Sequence, residues 1–193
     1  MGIDINDPLL QADIPYIEAM IQDGILRPMN KALFPGENGI QILRCGDGDQ
    51  DGHLMATHRS FCDGRDCHHQ YALNGLPLRI LPTSPLYDSR FPTDMLICEE
   101  IIGACELKDL TESIAYYLHW PCGMGHKARL ALREQMHIGA LTKALLLDKL
   151  KESGHAEMVI VLGMHLDLFY KQRKLLFMRV RAYFSLRKYL NQH

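Results

Sequence analysis

Apolar and polar positions fall in blocks along the chain, and the blocks predict strands alternating with helices. Residues 8–25 (PLLQADIPYIEAMIQDGI) predict an N-terminal helical arm, within about residues 1–30, interrupted at Pro15. Residues 39–44 (GIQILR) are a short apolar run, which predicts a buried strand ending in the turn CGDGDQDG. Residues 46–75 are polar and rich in Gly, Asp, His and Cys, and read as a long loop or insertion. A second strand is expected at 76–82 (LPLRILP), and a helix over 93–107 behind a Thr93 N-cap. Residues 113–119 (SIAYYLH) suit a strand, with a helix as the alternative for the first part.

After Gly123, apolar residues recur every three or four positions through about residue 153, as in one or two amphipathic helices. Residues 157–163 (EMVIVLG) read as a strand from their β-branched content. Residues 164–180 alternate as in a hairpin around Lys171–Lys174, and 182–192 suit a short helix. This order implies an α/β fold over 1–193, with a mostly parallel central sheet flanked by helices.

Composition narrows the function. A chain of 193 residues, 47% hydrophobic and 23% charged, fits one globular domain and excludes wholesale disorder. A formal charge of −2 argues against a broad electrostatic grip on nucleic acid. No run of 18 apolar residues occurs, and the first twenty residues lack the basic and apolar regions of a signal peptide. A cytoplasmic protein is therefore expected, with no membrane partner. There, six cysteines are thiols or metal ligands rather than three disulfides, and Cys98 and Cys105 read as small buried hydrophobes. Ten histidines add to the case for metal chemistry.

Two motifs stand at predicted strand ends, where α/β sheets form their sites. One is Cys45-Gly-Asp47; the other is His119-Trp-Pro-Cys122-Gly123, just before a helix. Two thiolates, an imidazole and a carboxylate make a sensible Zn²⁺ set, and the two residues between His119 and Cys122 let one turn present both to one ion.

On these residues the chain resembles the β-class carbonic anhydrases, which carry Cys-x-Asp-x-Arg after the first core strand and Gly-His-x-x-Cys-Gly after a later one. The matches are Cys45 and Asp47, then His119, Cys122 and Gly123; Asp49 stands in the place of the motif Arg, and Leu118 in that of the Gly. His119 lies 74 residues beyond Cys45, a longer separation than usual for the family, and 46–75 looks like the insertion. The resemblance implies zinc held by Cys45, His119 and Cys122, and hydration of CO₂ to bicarbonate by zinc-activated water. Asp47 is then the orienting catalytic carboxylate, or, without the Arg, a fourth ligand that closes the site. His53, His58 and His126 are candidate proton carriers. A homodimer or higher oligomer is also implied, with the N-terminal arm wrapping its neighbour.

Other readings compete. An inactive zinc-stabilised scaffold, or a binding protein of the same fold, would keep the ligands without the activity. Residues 47–52 (DGDQDG) match the start of a calcium loop, with His58 where the bidentate Glu belongs. His53, His58, Cys62, Cys67, His68 and His69 form a second, irregularly spaced cluster, either a structural metal site or an incidental one. Cys122 beside His119 is also a candidate thiolate nucleophile.

Overall fold

In the computed structural model, residues 4, 6–35, 39–47, 51–61, 68–108, 113–168 and 172–190 are described. The elements run α1 (Pro8–Gln22), β1 (Leu26–Pro28), β2 (Ile40–Cys45), α2 (Asp51–Phe61), β3 (His68–Leu73), α3 (Leu76–Arg79), α4 (Thr93–Lys108), β4 (Ser113–Trp120), α5 (Gly123–Lys127), α6 (Leu132–Glu152), β5 (Val159–Leu168), β6 (Gln172–Met178) and α7 (Val180–Leu190). The six strands form one mixed sheet in the order β1-β6-β5-β4-β2-β3. The run β3-β2-β4-β5 is parallel; β6 and β1 join antiparallel.

β2 and β4 are buried along their whole length, as parallel strands covered on both faces must be. Side chains alternate between two cores. Ile114, Tyr116, Leu118 and Trp120 enter the larger, with residues of α1, α4 and α6; Ala115 and Tyr117 enter the smaller, with Phe34 and Leu54 of α2.

The winding direction reverses inside this sheet. From β2 to β3 the chain crosses with α2 on the smaller-core face. From β3 it returns past β2 to β4, with α4 on the larger-core face. Parallel crossovers are right-handed, so a reversal of direction has to change face. β2 and β4 therefore become neighbours whose continuations leave on opposite faces. Their ladder runs only from Ile40↔Ser113 to Leu43↔Tyr116. Beyond that, β2 stays with β3 as far as Cys45↔Leu73, and β4 stays with β5 as far as Trp120↔Leu166. The carboxyl ends of β2 and β4 therefore diverge at the switch point, where α/β sheets place their sites.

Several expectations need correction. The polar segment 46–75 is not one long loop; it contains α2 and β3. Leu54, His58 and Phe61 recur at helical spacing, and Leu54 and His58 are fully buried. Residues 76–82 are no strand: Gly75 at φ 68 turns the chain, and Pro77 sits in the first turn of α3. Pro15 does not interrupt α1. The strand β1 was not expected; three residues become a strand here because they pair with β6. Leu10, Asp13, Ile17 and Met20 are the buried face of α1.

Asp13 ties three elements together. Its Oδ2 accepts from Trp120 Nε1 at 3.0 Å, and its Oδ1 accepts from the Leu132 backbone N–H at 2.9 Å. Leu132 begins α6, whose N-cap is Ala131, a residue with no side-chain acceptor. The carboxylate thus serves as a cap supplied from another helix. Burial raises the Asp13 pKa, and the two donors oppose that shift.

An amide at position 13 would turn its NH₂ toward one of these donors. Asp13→Asn should therefore cost about 1–3 kcal/mol. Urea unfolding, followed through the single tryptophan, Trp120, checks this. The sign of the pH effect follows from the raised pKa. Between 3.8 and its folded value the native state holds more protons at Asp13, so this group's contribution falls as pH rises through that window. The Asn variant should lack that slope. A second expected outcome concerns Gly163, where an added Cβ would lie 2.1 Å from Tyr117 Cε1. Gly163→Ala should cost about 1–3 kcal/mol in the same assay.

Candidate metal centre

Cys45 is the last residue of β2, and the Gly75 N–H donates to its Sγ at 3.0 Å. His119 is the next-to-last residue of β4. A cis Trp120–Pro121 peptide follows, and Cys122 arrives as the N-cap of α5, its Sγ 3.5 Å from the Gly125 N–H. The ligating atoms of Cys45, His119 and Cys122 all lie within 4.8 Å of one another. The three residues are 3%, 5% and 3% exposed. Among the described residues this is the one group of three or more Cys, His or acidic side chains that could hold a metal ion.

The chemistry of the three fits a cation. His119 Nε2 is buried and has no hydrogen-bond partner. Such an orphan costs about 1–3 kcal/mol, which a coordinate bond would offset. The two thiols give up their first proton with ease. Cys45 is pushed down, mainly by the hydrogen bond from Cys122, with His119 and the Gly75 N–H assisting against burial. The second proton is held hard. Cys122 is pushed up by its hydrogen bond with Cys45 and by burial. A divalent ion is the species that would displace it.

Pro77, Leu78, Leu118 and Gln135 surround His119 and Cys122. Gln135 is held by donation from its Nε2 to the Leu130 carbonyl at 2.9 Å. Asp47, half-buried and two residues beyond Cys45, lies outside the converging group of three.

His165 was missed in the sequence. It occupies the β5 position paired with His119 and is fully buried. Its Nε2 lies 3.1 Å from His53 Nδ1, and its Nδ1 has no partner. Burial first, and then the His53 and His119 charges, push its pKa down to about 4. In VIVLGMHLDL it reads as one more core position; only the register β4↔β5 brings it beside His119.

The remaining candidates separate. His53 reaches His165. His58 is a core residue, its Nε2 2.6 Å from Tyr117 Oη, packed against Phe34 and Phe61. His126 lies in α5, 3.7 Å from Asp7. His69 packs over Tyr71 on β3. The described histidines of the second cluster thus go to different places, while Cys62, Cys67 and the His68 side chain lie outside the described residues. The calcium loop fails for a physical reason. Residues 48–50 lie outside the description, but Asp51 already begins α2, so its fifth to twelfth positions are helical and cannot wrap an ion. Cys98 and Cys105 are buried, as expected, and burial raises both thiols, Cys98 to about 11.

Protein purified without a His tag or added metal should carry about one metal ion per chain, with content lost in Cys45→Ala and in Cys122→Ala. Elemental analysis decides; Cys98→Ala is the control and should retain the ion. The centre rests on geometry alone, because the chain matches no family model, no curated protein and no solved structure.

Proposed function

We propose that this chain is a zinc protein of the carbonic-anhydrase type, which hydrates CO₂ to bicarbonate at Cys45, His119 and Cys122. The observation that carries the reading is the convergence of two thiols and an imidazole from the splayed ends of β2 and β4, where α/β sheets place their sites. Two sulfurs and one nitrogen suit Zn²⁺, and three protein ligands leave a fourth position for water or Asp47. Zinc bound there would lower the pKa of a coordinated water toward about 7.

The protein's own residues do the rest. Pro77, Leu78 and Leu118 pack apolar side chains around His119 and Cys122. Asp47, two residues beyond Cys45, is the carboxylate that would accept a hydrogen bond from a zinc-bound water and orient it. His165 and His53 lead from beside His119 to half-exposed α2. The same reading makes the protein a cytoplasmic homodimer or higher oligomer.

Stopped-flow CO₂ hydration with a pH indicator tests this on zinc-loaded protein. We expect acceleration over buffer, and a loss of about 100-fold in kcat/KM for Asp47→Ala at unchanged zinc content. A gain of activity in that variant would instead make Asp47 the fourth ligand that closes the site. A full complement of zinc with no hydration from pH 6.5 to pH 9 in either protein would leave a zinc-stabilised scaffold.

A further inference from the structure

A second site lies on the opposite side of α6. Gln135 faces the metal centre, while Arg133 and His137, two residues to either side of it, face the other way. There, a cavity of about 740 Å³ opens between α1, α6 and α7, within the range of small-molecule sites. Its floor is Met20, Leu130, Ile138 and Tyr183, all buried. Its rim carries Arg133 and Arg187, both exposed.

The polar groups are arranged for a negative ligand. Both guanidinium charges bear on the Tyr16 phenol, which is buried and hydrogen-bonded to the neighbouring Tyr183. Arg187 Nη1 lies 3.5 Å from Tyr183 Oη, and that hydroxyl donates to the Arg133 carbonyl at 3.3 Å. The acid in the lining, Glu134, is already engaged: its Oε2 accepts from the Ala131 N–H at 2.8 Å. His137 Nδ1 is buried in the lining without a partner.

From this lining we infer that the cavity binds an amphipathic monocarboxylate, its hydrocarbon body on the Met20–Leu130–Ile138 floor and its carboxylate held at Arg133 and Arg187. Two arginines against one capped glutamate match a single negative charge better than a polyphosphate. The apolar floor excludes a small hydrophilic anion as the natural occupant. This site is independent of the metal reading.

The test is calorimetric titration of the full chain with decanoate, with decanol as the uncharged isostere. One decanoate should bind per chain with micromolar affinity. The double variant Arg133→Gln/Arg187→Gln should weaken it about tenfold or more, and decanol should bind wild type about as weakly. Both arginines are exposed, so that variant should unfold at the wild-type temperature. Ile138→Trp should block the floor and abolish binding. No saturable binding, several decanoates per chain, or equal affinity for decanol and decanoate would overturn the assignment. So would wild-type affinity in the double arginine variant, whatever the fold of the Trp variant.

Discussion

The constraint on which the rest depends is the reversal of winding between β2 and β4. A right-handed crossover cannot turn back on the same face, so α2 lies on one side of the sheet and α4 and α6 lie on the other. The shared ladder stops at Leu43↔Tyr116, because each strand then follows its outer neighbour. Cys45 stands two residues past the end of that ladder, and His119 three. Their convergence is thus a product of topology: Cys45 and His119 are far apart in sequence, yet they meet at one switch point of the sheet.

Holding that site together requires the termini of several elements to be satisfied at once. Cys122 caps α5, and Gly75, at positive φ, presents its N–H to Cys45. Tyr116, deep in β4, donates to the Pro77 carbonyl, which fixes α3 beneath the site. On the smaller-core face, Tyr117 and His58 bond α2 to β4, and the Tyr117 ring occupies the space above Gly163. These bonds are buried, so their strength lies in the penalty for losing a partner more than in the net gain of making each one.

What the sequence disclosed follows from how locally each feature is determined. β4 and the β5–β6 hairpin were evident because burial on both faces, or strict alternation, writes itself into consecutive residues. The pair Cys45 and His119-x-x-Cys122 was evident because metal-ligand spacing is local within each half. Segment 46–75 was not, because its helix buries a histidine, His58, where a hydrophobe would have marked the periodicity. β3 (HHQYAL) is an edge strand with little apolar content, and β1 exists only through its partner β6. His165 lay in a core-like strand, and its meaning depends on a register no local pattern encodes.

The first turn of α6 joins the two candidate sites. Leu132 N–H is held by Asp13 from α1, and Gln135 reaches back to the Leu130 carbonyl. Between them these bonds set both the axial position and the rotation of the helix start. Rotation puts Gln135 against Cys122 and His119, and the same rotation puts Arg133 and His137 on the cavity. Neither face can turn without turning the other. A polar contact on α1 therefore positions the wall of a candidate metal centre that α1 does not line, and does so through a helix that also forms a wall of the cavity behind it.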